Sequence, residues 1–540
     1  MTETRREFLK FIVAGSVAAG CPIDLSLLAA DSVAKPVIDG DHFEICHQVR
    51  DGKSFARSPV SKKHDVVIVG GGASGLSTAY FLRGHDFLLL EKEPHWGGNA
   101  TMEEYQGQAF CTGSAFDYKG SASDQLAREL GLNPLPINCP DPTIVNGKWV
   151  ADTWGAGLDQ LPYPDDVRAS FKKFRDDMLK MAADKNLKQF DGVPLTKYLR
   201  SYAPEVKQWW DCYGPSNYGA KSADTSTMVA LVELKDQAEA AQNDLRVTLP
   251  GGNAVFVRKL AEALHAKDAA RMTSDATIVA VEPQKDEVHV TYVHAGAVRT
   301  VAAKFVIMAT PKFITWRLVS GLSDAQTEVM RSFRYCPYAV INMIFDKPVY
   351  SRAYDTWCPG NTFADMIVAD WVGLKQPGYQ PKNSILSFYT PISELQRDEL
   401  LRIDRCRHIA ANVLHDFHKL LPEFTAEPME VHFYRRGHPL FLSLPGTFTK
   451  AIPAANKPLD RIFFANTDSV GPESDLPGAV EAAHHAAEWV EKKMAGTTRS
   501  VAKSLASASA YHLTPSLTEK RATGESPAAL DHVFPARERP

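Results

Sequence analysis

The sequence predicts an α/β protein: a nucleotide-binding domain assembled from three separated segments, with an α+β domain threaded between them. Three observations carry this reading. An apolar run at 66–69 passes through Gly70-x-Gly72-x-x-Gly75 into a helical pattern at 76–83, and a second apolar run at 87–90 ends at Glu91. Strand-like runs return at 276–282, 288–292 and 304–311, after the turn Leu249-Pro250-Gly251-Gly252-Asn253. They return once more at 461–468, where the run ends in polar residues and leads to a helix opening at Leu476. Strands that alternate with helices in this way build a parallel sheet with helices packed on its faces.

The first segment, 64–116, sets the chemistry. Consecutive aliphatic residues read as a strand buried on both faces. Gly70 permits the tight turn and Gly72 lets backbone amides approach a pyrophosphate. Gly75 lets the helix pack on the strand, and the helix N-terminus then faces the phosphate charge. Glu91 stands where an acid binds the ribose hydroxyls of an adenosine. This is a Rossmann-type dinucleotide site, which NAD and FAD share. Further on, Gly113-Ser114-Ala115-Phe116 is small enough for backbone to lie flat against a ring.

Residues 117–247 change character. Helical spacing at 124–130, 164–186 and 225–242, with Pro164 and Pro194 at first-turn positions, predicts an inserted helical lobe. Inside it, Trp209-Trp210-Asp211-Cys212-Tyr213 and the following stretch to Tyr218 are densely aromatic. These rings are either core between helices or walls of a pocket. The nucleotide domain resumes over 248–315 with a helix at 254–265 and its strands. A second excursion, 316–454, predicts strands at 338–345 and 384–389 and one long helix at 393–420 capped by Ser393. A strand-like run at 431–434 then leads to His438, either a surface turn residue or a neighbour of the cofactor. Residues 117–247 and 316–454 together make the substrate domain, and 455–495 completes the nucleotide domain.

The two ends lie outside this fold. Thr4-Arg5-Arg6-Glu7-Phe8-Leu9-Lys10 before a short apolar stretch matches a twin-arginine export signal, assigned to 1–30. It ends either at Leu28-Ala29-Ala30, giving a periplasmic or exported protein, or at Cys21 with a lipid anchor. That route carries folded proteins, which suits an enzyme that loads a tightly held cofactor before export. Residues 31–63 read as a lead-in arm in which Cys46-His47, a ligand pair only if partners existed, is structural or exposed. Residues 496–540, rich in Ser, Ala, Thr and Pro, read as a disordered tail.

Composition narrows the function. With 44% apolar and 23% charged residues the chain has the make-up of a globular protein with room for two cores, and a net charge of −4 argues against a nucleic-acid partner. Eight cysteines are scattered singly, so neither a disulfide framework nor a metal site is expected.

The residues after Glu91, with Gly97, Gly98 and Asn99, and the order of the three segments over roughly 64–495, resemble the flavin-containing amine oxidoreductase superfamily. That superfamily includes monoamine and polyamine oxidases, spermidine dehydrogenase and phytoene-type desaturases. The resemblance implies FAD as cofactor. It places Gly97 and Gly98 along the flavin, 113–116 under the isoalloxazine and the backbone near Val279 at the adenine. Asp468 would reach the ribityl chain or phosphate, and the helix N-terminus at Gly478 and Ala479 would face the pyrimidine ring. Covalent members use a cysteine in a glycine-rich C-terminal context that is missing here, which implies non-covalent FAD. Where many amine oxidases place a lysine near flavin N5, this chain has Asn342, which suits a dehydrogenase.

The expected activity is therefore hydride removal from an amine, possibly a polyamine, with electrons passed to oxygen, a quinone or a cytochrome. Asn342, Tyr218 and His438 are the candidate catalytic residues. Tyr213, Tyr218, Trp209 and Phe388 are the rings expected to wall the substrate pocket. A phytoene-type carbon–carbon desaturase or isomerase is the alternative enzyme, and a non-catalytic flavin-bearing binding or assembly protein is the alternative of another class.

Overall fold

A computed structural model of the chain describes residues 34–240, 244–471 and 474–495. The expected export signal and C-terminal tail lie outside the described residues. The α/β class holds, and the chain folds around two large sheets.

The nucleotide-binding sheet is built on aliphatic runs buried on both faces. Strand Val60–Val69 lies between Phe87–Leu90 and Ala297–Met308, parallel to both, with Val66 opposite Phe87 and Val306 opposite Val67. The twelve-residue strand Ala297–Met308 serves twice. Its first half pairs antiparallel with Val288–His294, and its last residues pair parallel with Ile462–Phe464. Helices Ala73–Phe81, Ala254–Asp268 and Leu476–Met494 cover one face, where Leu76, Ala79, Phe256, Leu260, Val480 and Ala486 share a core with Val66 and Ile68. Each such aliphatic side chain, fully buried, contributes about 1.5–3 kcal/mol.

The second sheet runs in the order Val37–Gly40, Glu430–Phe441, Tyr335–Phe345, Ser384–Pro391, Asp365–Val368, Asp355–Trp357, Thr143–Val145, Lys148–Val150. Side chains alternate across a strand. Ile341, Met343, Phe388 and Met366 point to one face and pack under helix Ile403–Leu420 through Val413, Leu414 and Phe417. The other face carries Tyr389, Asp365 directly opposite it, and Trp357 opposite Asp365. Helices Asp165–Ala182, Pro204–Tyr218 and Thr227–Ala240 pack around Trp154, Phe171, Phe174 and Trp210, and the aromatic stretch at 209–218 lies on the second of them.

Three expectations are corrected. Residues 393–420 are not one helix, because a 3-10 turn, Glu394–Leu401, is capped by Ser393 and separated from Ile403–Leu420 by extended Arg402. Arg435 takes the Leu400 carbonyl, which draws an acceptor out of any continuing helical ladder. The strand read at 431–434 extends to Phe441, so His438 lies on a strand and not in a turn. Residues 31–63 are more than a lead-in. Val37–Gly40 adds a parallel edge strand, with Val37 opposite His432, and the helix Glu44–Arg50 follows it onto the nucleotide domain.

Candidate active site

A cleft of about 940 Å³ opens at the carboxyl ends of the parallel strands, between Val69, Glu91 and Ala309, where open α/β sheets bind ligands. The glycines of the turn divide the work. Gly70 has φ +104, and a Cβ on Gly75 would stand 1.8 Å from the Gly70 carbonyl oxygen, so both serve the fold. At Gly72, with φ −74, a Cβ meets nothing nearer than the Gly98 Cα at 3.6 Å, and the residue lines the cleft. The space beside Gly72 is thus open room next to a helix N-terminus, which fits a pyrophosphate.

Glu91 is almost fully buried and lines the same cleft. Its two oxygens accept from the amides of Gly71 at 2.5 Å and Glu93 at 2.8 Å. Burial pushes its carboxyl above the usual range, against the pull of Lys92 and these amides. Each oxygen keeps a second lone pair for a ribose hydroxyl. Gly97, Gly98 and Ala479 also line the cleft.

The N-terminal arm supplies a wall that sequence reasoning missed. Asp41, His42, Phe43, Cys46, His47 and Arg50 all face the cleft. Glu93 anchors them by accepting from the His42 amide at 3.0 Å, and its carboxylate lies 2.5 Å from the His42 ring. Burial raises the Cys46 thiol, leaving it a poor nucleophile.

Several sequence candidates sit elsewhere. Val279 itself does not line the cleft, although Thr277 and Ile278 beside it do. Asp468 is fully buried away from the cleft. It accepts from Lys312 Nζ at 2.9 Å, the Lys312 amide at 2.8 Å and the Tyr335 hydroxyl at 2.5 Å, while its neighbours Asn466 and Thr467 line the cleft. The Gly478 amide is spent on capping, donating to Asp475 at 2.8 Å. Asn342 faces away from the helix-covered side of its sheet, but the strand Gln108–Cys111 lies over it. Its amide donates to the Cys111 carbonyl and its oxygen accepts from Ser387. Tyr218, Trp209 and Phe388 are buried in hydrophobic cores, outside both cavities. His438 does line the cleft, stacked on Phe313 with ring centroids 4.0 Å apart. Burial and the nearby Arg397 push its pKa down to about 3, so it is a neutral ring there and not an acid.

At Ser114 and the stretch Ser474, Asp475 and Leu476 the cleft adjoins a second chamber of about 180 Å³. Its floor is the open face of the second sheet: Tyr389, Asp365, Ile367, Trp357 and Asp355. Tyr213 and Ser216 of helix Pro204–Tyr218 and Glu233 of helix Thr227–Ala240 oppose it. Tyr213, one of the predicted walls, packs against Trp357 with centroids 4.4 Å apart. Seven of its lining residues are acidic. Burial, then the charge of Asp141, lifts Asp355 to about 7; burial, then Asp236, lifts Glu233 to about 7; Asp365 is also raised well above its ordinary value. The signal for these residues was present as an acid opening an otherwise apolar strand, Asp365-Met366-Ile367-Val368.

The comparisons with known proteins agree with this geometry. A relative from Serratia sp., the oxidoreductase PigB, is 22% identical over 80% of this chain and 76% of its own. A putrescine oxidase solved with putrescine bound superposes with a TM-score of 0.63 at 17% identity, over 79% of this chain and 99% of that one. Cyclohexylamine oxidase from Brevibacterium oxydans gives 0.61 at 16% identity, over 80% and 99%. Both structures share the fold. The model of one family, flavin containing amine oxidoreductase, matches residues 73–490. With its dinucleotide cleft, its adjoining chamber and that match over most of its length, the chain belongs to the flavin containing amine oxidoreductase family, whose members are flavin-dependent oxidoreductases.

Proposed function

We propose that the protein holds FAD non-covalently in the large cleft and removes a hydride from the carbon beside an amine nitrogen, polyamines included. The observation that carries this is the carboxylate-lined chamber adjoining the cleft at Ser114 and Leu476. Buried carboxylates in surplus attract a cation, and the rings of Tyr213, Trp357 and Tyr389 offer faces on which an ammonium is stable. In the cleft, Glu91 would hold the ribose and the helix N-terminus beside Gly72 the pyrophosphate. Bound there, FAD supplies the two-electron acceptor for the hydride. The protein's own part is to desolvate the amine, hold it at the Ser114 end of the chamber and take up its proton on nearby carboxylates. The electrons then leave to oxygen, a quinone or a cytochrome.

A desaturase acting on a long polyene needs an extended apolar tunnel, and a short acidic chamber does not favour that reading. A flavin-bearing binding protein without turnover has no need of the chamber at all. The twin-arginine motif at Arg5 and Arg6 supports export of the folded, loaded enzyme, followed by simple cleavage, to the periplasm. The deciding experiment mixes the flavin-loaded protein anaerobically with a panel of amines. Bleaching of the flavin band, faster as pH rises and more amine is neutral, is expected. Bleaching by apolar polyenes and by no amine would transfer the case to the desaturase, and no bleaching at all to the binding protein.

A further inference from the structure

We propose that Asp475 takes the proton from the reacting amine, acting as general base through its Oδ2 where the chamber opens on the cofactor cleft. The proposal rests on the amine reading above and names the residue that makes the amine reactive. Ser114, Ser474, Asp475 and Leu476 line both cavities, and of these Asp475 alone carries an ionisable side chain. A substrate held in the chamber meets a cofactor held in the cleft only at that junction.

The fold aims this carboxylate by using half of it. Asp475 caps the helix Leu476–Met494, its Oδ1 accepting from the Gly478 amide at 2.8 Å. That bond fixes the side chain, and Oδ2 has no partner in another described residue. Burial lifts the carboxyl to about 6 against the pull of the Gly478 amide, and Glu481 adds to the rise. The charged groups around it are acids or are already paired. Glu481 follows on its own helix, and Asp117 lies on the strand packed against that helix. Asp124 of the neighbouring helix Ala122–Glu129 is held by Arg128 at 3.0 Å, Asp468 by Lys312 at 2.9 Å, and Arg246 of the chamber by Asp141 at 2.7 Å. Near neutral pH Asp475 is therefore an ionised carboxylate with one oxygen free to accept a proton.

Atoms and electrons balance with the flavin as the only oxidant. The amine arrives as an ammonium cation, its form near neutral pH. One N–H proton passes to Asp475 Oδ2, which becomes a neutral acid. The freed lone pair then forms the C=N bond as the adjacent C–H bond breaks, and the hydride goes to the flavin. The product leaves as an iminium cation, and Asp475 returns its proton to solvent. The expected quickening of bleaching with pH thus has a cause inside the site. Bound amine turns neutral once Asp475 is ionised, above about pH 6, well below the amine's own pKa of about 10.4.

The test uses flavin-loaded protein, wild type and the variants Asp475→Asn and Asp475→Ser, which keep a side-chain cap for the helix but cannot take up the proton. The first readout is the second-order rate of anaerobic flavin reduction by n-butylamine and by 1,4-diaminobutane. In wild type it should be level from about pH 7 to about pH 9. In both variants it should climb about tenfold per pH unit over that range, because only the scarce neutral amine reacts. The second readout needs no turnover. With the flavin reduced beforehand, calorimetry at about pH 8 in buffers of different ionisation enthalpy counts the protons released on binding. Each variant should release about one proton more per amine bound than wild type, since it must bind the amine neutral. A level profile or an unchanged proton count in either variant would overturn the assignment while leaving an amine oxidoreductase in place. Loss of flavin from both variants would make Asp475 a structural residue and overturn it as well. If neither amine binds or reduces the flavin in wild type, the amine reading falls, and this proposal with it.

Discussion

Two glycines of the same turn make a paired experiment, because the structure assigns them different jobs. At Gly72 the backbone is ordinary, φ −74, and an added Cβ stands 3.6 Å from its nearest neighbour, so alanine or valine fits the fold and projects into the cleft. At Gly75 the added Cβ stands 1.8 Å from the Gly70 carbonyl oxygen, and the helix must move off the strand. Gly72→Val should therefore keep the Tm of flavin-stripped protein within a degree or two. Its FAD affinity should fall by about 10²–10⁴, the loss of two amide bonds to a charged phosphate at about 1.5–3 kcal/mol each. Gly75→Ala should lose stability even when stripped, by about 1–3 kcal/mol of overpacking, despite alanine's better helix propensity. Flavin content from the visible-to-ultraviolet absorbance ratio and Tm of the stripped proteins separate the two effects. A Gly72→Val protein that purifies with a full complement of flavin would refute the placement of the pyrophosphate.

The buried pair Lys312 and Asp468 gives a second prediction: Lys312→Met should cost about 3–5 kcal/mol by stranding the Asp468 charge. Lys312→Met combined with Asp468→Leu should recover part of that loss in chemical denaturation. Starting the chain at residue 52 should yield folded protein that loses FAD on gel filtration, since the deleted stretch walls the cleft; unchanged retention would refute that role. The chamber acids set a pH dependence with a definite sign. Asp355 titrates at about 7 in the fold but near 3.8 when unfolded, so the stability it permits below about pH 4 is lost as pH rises to about 7. The Tm of Asp355→Asn relative to wild type should therefore climb over that window and level off above it. Finally, changing Arg5 and Arg6 to Lys should leave flavin-bearing precursor in the cytoplasm, and normal periplasmic accumulation would point to another route.

Where the sequence was transparent, one element carried its own physics. Four aliphatic residues, three spaced glycines and an acid at the end of the next strand leave little freedom, and the α/β class followed from them. The chamber was opaque for the opposite reason. Asp355 and Asp365 sit on strands of three and four residues, too short for alternation to fix which face they take; only the pairing of those strands with each other and with Ser384–Pro391 brings them to one face. Asp468 looked like a cofactor ligand from its place after the last strand, but a lysine 156 residues earlier claims it. Asn342 failed similarly, since the covering strand Gln108–Cys111 comes from a distant part of the chain. Lone aromatic residues gave no guidance: Tyr213 reached the chamber, while Trp209 and Tyr218, four and five positions away, became core.

The N-terminal arm also dictates a sequence of events. Val37 emerges early from the ribosome, yet its partner His432 is among the last parts of the fold to be made. Contacts between such distant parts of a chain form slowly, because a long loop must close before they repay its entropy. The arm is thus the natural last piece to settle. Until it does, the cleft lacks the wall from Asp41 to Arg50, and a large dinucleotide has an open side by which to enter. Once it docks, leaving requires an edge strand to be peeled from the sheet. Cofactor retention then becomes a matter of kinetics, set by how fast that strand detaches.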